Sequence, residues 1–352
     1  MTKASRFVTI ALSMSAALFL ITGCAQKTDH ISEGFEKIQS LDYQGAVASF
    51  DEALTAGESA EEALRGRGMA YMGLMDYASA VASFEEALEH AGLFPTDTER
   101  DINYYLATAQ YKTGDIPEAI KTLDAIAESS RKSAEVNFLR GSMKVESGDV
   151  NAGAEDLNLA LYYADHDTSM TIRIYQVFDA NGRKEDGRAY LSRAIEERLS
   201  VMSDYEKGII YYYLEDYENA RDNLEAFRSG GNNDPDTLLM LGKTYEQLGD
   251  SNYAGSLYQK YLNENEPVAQ IWNQLGLCKL KSGEYEAAYN AFASGLEMDD
   301  NASVLRDLRF NQIVAVEYMG DLKKAAALMA DYIKDYPDHE EAKREYAFLQ
   351  TR

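Results

Sequence analysis

Cysteine, tryptophan, histidine and basic charge are all in short supply. The 352 residues hold two cysteines, one tryptophan and four histidines. So little cysteine excludes a disulfide-stapled fold. The histidines, His30, His90, His166 and His339, stand far apart, with no metal-ligand spacing. No G-x-S-x-G or H-E-x-x-H occurs, and after Gly66 and Gly68 a dinucleotide fingerprint fails because Tyr71 takes the third glycine position. Carboxylate pairs such as Glu85-Glu86 and Glu340-Glu341 are expected by chance among 59 acids. The expectation is no enzyme, no catalytic residue, no bound metal and no cofactor. Lys and Arg number 34, leaving a formal charge of −25. That balance disfavours nucleic acid, whose phosphates need clustered bases, and electrostatic attachment to anionic lipid. It suits a basic or aromatic partner.

Long apolar runs are absent except at the start. Lys3 and Arg6 precede an apolar stretch from Phe7 to Leu20. It is too short to span a bilayer comfortably and fits a signal-peptide core. Ile21-Thr22-Gly23-Cys24 follows and resembles the bacterial lipobox. The resemblance implies cleavage of residues 1–23 and lipidation of Cys24, which becomes the first residue and the membrane anchor. The mature charge is then −27, because two bases and no acid are lost from −25. Acyl chains on one cysteine hold firmly, at about 0.8 kcal/mol per buried methylene. Residues 24–29 form a short polar link reaching at most ~17 Å beyond the cysteine. The localisation implied is the cell envelope, on the extracytoplasmic side. Where two membranes exist, Ala25 rather than aspartate after the cysteine favours the outer one, by resemblance to the lipoprotein sorting rule. Cys278 then has no partner thiol and is expected to be a buried structural residue.

What the chain has in abundance is a period. Ala46, Ala80, Ala119, Gly153, Gly187, Ala220, Ala254, Ala288 and Ala325 are spaced by 34, 39, 34, 34, 33, 34, 34 and 37 residues. Four positions after each comes a large residue: Phe50, Phe84, Leu123, Leu157, Leu191, Leu224, Tyr258, Phe292 and Met329. A turn lies four or five positions before each anchor, as in Asp76-Tyr77, Gly114-Asp115 or Gly249-Asp250. Glycine there permits a left-handed helix stop, and the acid suits the start of the next helix. This pattern resembles the tetratricopeptide repeat, a helix–turn–helix unit that must stack on neighbours to bury its apolar face. The resemblance covers about residues 27–338 and implies an all-α right-handed solenoid, with about nine repeats across 30–336 and a capping helix in 337–352. Trp272 stands at the family's tryptophan position, whereas Tyr175 replaces a usual glycine. Additions near Gly92–Asp97 and Asp299–Asn301 read as loops, and Asp338 with Glu341 as an N-cap pair.

In the family, the first helix of each pair lines a concave groove. Its fifth, ninth and twelfth positions here include Arg65, Met69, Met72, Val314 and the binding candidates Tyr104, Tyr111, Phe138, Tyr205, Ile209, Tyr212 and Phe310, with Tyr213 beside them. Tyr211 is expected in the core. The Lys/Asn pair by which some members hold chaperone carboxylate tails is missing, so that activity is not implied. Two functions remain open. One is a membrane-anchored interaction scaffold holding a protein or peptide in the groove. The other is a glycan- or peptidoglycan-binding lipoprotein working with an envelope transporter or hydrolase.

Overall fold

The computed structural model describes residues 29–90, 92, 96–129, 132–298 and 302–352. The signal-peptide segment, Cys24, and the central parts of both loop additions (93–95 and 299–301) lie outside them. The described residues contain nineteen α-helices and no strand. They pair in order: α1 (His30–Gln39) with α2 (Tyr43–Thr55), α3 (Ala60–Gly73) with α4 (Tyr77–Glu89), α5 (Asp97–Thr113) with α6 (Ile116–Ser129), and α7 (Ala134–Ser147) with α8 (Val150–Tyr163). The fifth pair is α9 (Thr168–Ala180) and α10 (Lys184–Arg198), and the sixth is α11 (Asp204–Tyr213) and α12 (Tyr217–Ser229). Then follow α13 (Pro235–Gln247) with α14 (Ser251–Glu264), α15 (Ala269–Lys281) with α16 (Tyr285–Leu296), α17 (Ala302–Tyr318) with α18 (Leu322–Asp335), and finally α19 (Glu340–Leu349).

Each turn is written in local chemistry. Asp42, Asp76, Asp149, Asp216, Asp250 and Asp321 are the N-caps of second helices, each accepting a backbone N–H from three residues on. Such a cap contributes about 1 kcal/mol. The preceding residue is left-handed. Gly114, Gly148, Gly249, Gly283 and Gly320 meet that demand without strain, but Leu41, Met75 and Glu215 adopt φ of 62°, 58° and 64°. A side chain there costs roughly 1–2 kcal/mol. Met75 is 71 % exposed, so its side chain has little packing to lose. Met75→Gly should therefore raise the stability of its repeat by roughly 0.5–1 kcal/mol, net of glycine's greater unfolded-state entropy. A melting curve below wild type would show that the methionine makes a compensating contact.

The anchors and their partners form the core. Every alanine anchor is fully buried, and so is every large residue four positions on. Gly153 and Gly187 are buried too. Tyr175, buried where glycine is usual, is accommodated from the other side: a Cβ on Gly187 would lie 2.9 Å from the Tyr175 carbonyl oxygen. The small residue that the crossing needs has moved to the second helix. Cys278 is 4 % exposed and burial, reinforced by Glu246, pushes its thiol up to about 12. It is the buried residue expected.

The chain divides into two compact units, one running to Ala194 and one from Ile195. In the first, polar residues just before the core positions are joined to residues 12 or 16 earlier. Lys37 Nζ donates to Ser49 Oγ and Thr122 Oγ1 to Gln110 Oε1, both at 2.8 Å. Arg67 reaches Ser83, Asp51 and Glu86. Arg140 reaches Asp156 at 2.8 Å and Asp124 at 3.0 Å, and Lys144 Nζ donates to Asp156 at 2.8 Å. The arginines thus tie α2 to α4 and α6 to α8.

In the second unit α19 closes the array, with Ala342 and Leu349 buried and Tyr346 half-buried. Its start differs from the expected Asp338–Glu341 pair. The N-cap is His339, with no side-chain capping bond, because its Nδ1 lies 2.8 Å from the hydroxyl of buried Tyr332. On α17, partial burial and then Glu345 of α19 raise the Glu317 carboxyl above the ordinary glutamate range. The folded state therefore holds its proton more tightly than the unfolded chain. This contribution to stability is present below the ordinary range and is lost as pH rises through the raised value. Glu317→Gln should raise the melting temperature by a few degrees at neutral pH and leave it unchanged at acid pH. An equal gain at both would remove the proton from the explanation.

Candidate functional site

In both units the first helices adjoin one another: α1 touches α3, α3 touches α5 and α7 touches α9, as do α11 with α13, α13 with α15, and α15 with α17. Each unit so presents a row of first helices, on which the candidate residues lie.

In the first unit this row is built from paired charges and aromatic rings. Arg65 of α3 lies 5.9 Å from the Phe35 ring and donates to Asp101 of α5 at 2.7 Å. Arg173 of α9 takes both carboxylate oxygens of Glu135 on α7, at 2.8 and 2.7 Å. Its guanidinium also covers the Phe138 ring at 3.9 Å. Phe138 is only 2 % exposed, which corrects its placement as a groove residue: it belongs to the core beneath Arg173. Tyr104 and Tyr111 are half-buried. Burial, then the charge of Glu135, raises the Tyr104 phenol; burial, then Glu146, raises that of Tyr111. Both stay neutral hydrogen-bond donors, and Tyr111 Oη already donates to Glu146 at 2.7 Å.

In the second unit the tyrosines gather on α11. Tyr205, Ile209, Tyr212 and Tyr213 are half-buried. Tyr205 packs on Phe227 with ring centroids 5.3 Å apart, and Tyr212 meets Tyr213 and Tyr217 edge-on at 5.6 and 5.7 Å. Burial is the main cause that raises the Tyr205 and Tyr212 phenols, with Asp236 and Asp234 adding to it at Tyr205. Tyr211 departs from the core position expected of it. It is half-buried, and the buried residue of this turn is its neighbour Ile210. Phe310 lies apart from this group, half-buried against Tyr332 and His339. The structure therefore brings together Tyr205, Ile209, Tyr212 and Tyr213. A polar cleft of about 390 Å³ lies elsewhere, where Ser251, Ser256 and Asn263 of α14 face Cys278, Lys279 and Ser282. Burial raises the thiol of Cys278 in its lining, which disfavours the reactive thiolate.

Four family profiles, all described as tetratricopeptide repeat, match residues 36–98, 71–141, 236–265 with 310–339, and 269–301. Together with the nine helix pairs they place the chain in the tetratricopeptide repeat family, an interaction fold. The chain is similar to a tetratricopeptide repeat protein of Parabacteroides merdae ATCC 43184, with 19 % identity and a TM-score of 0.46 over 72 % of this chain and 99 % of that one. It also resembles MamA of Desulfovibrio magneticus RS-1, with 16 % identity and a TM-score of 0.42 over 49 % and 96 %. Among curated proteins, BBSome complex member BBS4 of Bos taurus is 29 % identical over 92 residues, which are 26 % of this chain and 18 % of that protein. The match spans less than a fifth of the bovine protein's length.

Proposed function

We propose that this chain is a lipid-anchored interaction scaffold of the bacterial cell envelope, holding a protein or peptide against the α11 face of its second unit. The tyrosine group on α11 carries the reading. Tyr205, Tyr212 and Tyr213 offer rigid, amphipathic surface of the type enriched at binding hot spots. Asp234 and Asp236 add negative charge beside Tyr205. A segment with basic and apolar side chains suits that surface and the strongly acidic chain. The anchor rests on the lipobox-like Ile21-Thr22-Gly23-Cys24. No helix among the described residues is long and apolar enough to cross a membrane.

Two substitutions test the surface. Tyr205→Ala with Tyr212→Ala should leave the helical spectrum intact and lower partner capture at least tenfold, the loss of about 1.4 kcal/mol of binding. Partners are identified beforehand by in-cell crosslinking from those positions. Undiminished capture overturns the α11 assignment, and glycan capture without a protein crosslink replaces the peptide with a saccharide. Separately, unchanged acyl labelling of Cys24→Ser would remove the lipid anchor.

A further inference from the structure

The start of the first repeat carries a group of side chains that the interaction reading does not use. His30 opens α1, Glu33 follows one turn later, and Glu52 approaches from α2. Their ligand atoms all lie within 4.8 Å of one another. His30 Nδ1 is buried and has no hydrogen-bond partner. It faces Glu52 Oε2 at 3.3 Å and Glu33 Oε2 at 3.8 Å. A buried ring nitrogen aimed at two carboxylate oxygens without a hydrogen bond is an unfinished arrangement.

A small divalent cation would complete it. Bonds of about 2.0–2.1 Å in a tetrahedron put neighbouring ligand atoms roughly 3.3–3.4 Å apart. The His30–Glu52 edge already has that length, and Glu33 needs to close by about half an ångström. The supporting contacts leave the right atoms available. Lys37 Nζ holds the other oxygen of Glu33, Oε1, at 2.8 Å, and itself donates to Ser49 Oγ at 2.8 Å. Glu58 accepts the backbone N–H groups of His30 and Ile31 at 3.2 and 3.1 Å, fixing the start of α1. A cation at a helix N-terminus is opposed by the helix dipole. Among the described residues, the carboxylates of Asp29, Glu33, Glu52 and Glu58 gather around His30 with Lys37 paired to Glu33, and the local balance is negative.

We propose that His30, Glu33 and Glu52 bind a zinc ion, with its fourth position open to water. One nitrogen and two carboxylate oxygens suit zinc, whereas calcium takes six to eight oxygens and magnesium prefers an octahedron of oxygens. The chain spacing hides this site, because Glu52 comes from the second helix.

The full-length chain, purified in detergent, is titrated with Zn²⁺ alone and followed by calorimetry and thermal unfolding. Wild type should bind one equivalent and melt higher. His30→Gln and Glu52→Gln should each weaken that binding by roughly tenfold or more, since even supporting residues of metal sites carry effects of that size. The Glu52 side chain is 65 % exposed, so its variant keeps the fold if His30→Gln does not. Cobalt should give the visible bands of a tetrahedral ion in wild type and lose them in Glu52→Gln. The site is overturned if wild type takes up no zinc, if both variants bind it unchanged, or if calcium binds equally well without His30.

Discussion

Replacing Asp156 by alanine should destabilise the first unit by about 3–5 kcal/mol, the range for removing one partner of a buried ion pair. Asp156 is 4 % exposed and receives charge-assisted bonds from both Arg140 and Lys144. Those donors are themselves largely covered, with side chains 14 % and 20 % exposed. Alanine removes the partner shared by two cations whose side chains are largely covered from solvent, leaving Arg140 with Asp124 alone. Asp124, the other acceptor of Arg140, is half exposed. Its loss should cost at most about 1 kcal/mol. Urea unfolding of both variants measures the contrast. Equal losses would mean that Arg140 turns outward and takes solvent when Asp156 is gone.

The second large effect is expected at Gly141. A Cβ there would meet the Gly153 carbonyl oxygen at 2.8 Å and Leu157 Cγ at 2.9 Å. The obstruction is backbone of the facing helix, which no rotamer change relieves. Gly141→Val should cost about 3 kcal/mol or more, at or beyond the upper end for overpacking. At Gly114 nothing lies within 4 Å of a Cβ, and the whole penalty is its φ of 89°. Gly114→Ala should therefore cost only about 1–2 kcal/mol. If Gly141→Val melts no lower than Gly114→Ala, α7 and α8 can separate more easily than their close approach implies.

These two positions differ in how visible they are in the sequence. Gly153, the partner of Gly141, is an anchor of the repeat and is found by its period alone. The same period yields Phe50, Phe84, Tyr258 and the other fully buried large residues. Sterics at a helix crossing admit only alanine or glycine, so the constraint leaves a mark in residue type. Asp156 leaves none. Its position is filled by Ser49, Ser83 and Thr122 in other repeats, and each finds a partner 12 or 16 residues back. Any polar pair of matching reach serves, and the pattern is of distance rather than identity. Phe138 fails for a related reason. Its repeat position is that of a groove residue, but Arg173, from the next repeat, covers its ring. His30 and Glu52 meet across two helices in the same way.

One arginine spans each junction of the first unit, and the side alternates. Arg67 joins repeats one and two through second helices, and Arg65 joins two and three through first helices. Arg140 joins three and four through second helices, and Arg173 joins four and five through first helices. In a linear array, cooperativity is the sum of such nearest-neighbour couplings. The Arg140–Asp124 and Arg65–Asp101 joints both end on a partly exposed carboxylate, so each coupling is at most about 1 kcal/mol, and the buried apolar clusters set the blocks. One such cluster runs from Ala107 to Tyr190, and amide hydrogen exchange should show the repeats that share it opening together. Repeats one and two, whose buried residues form separate clusters, should open at a lower free energy.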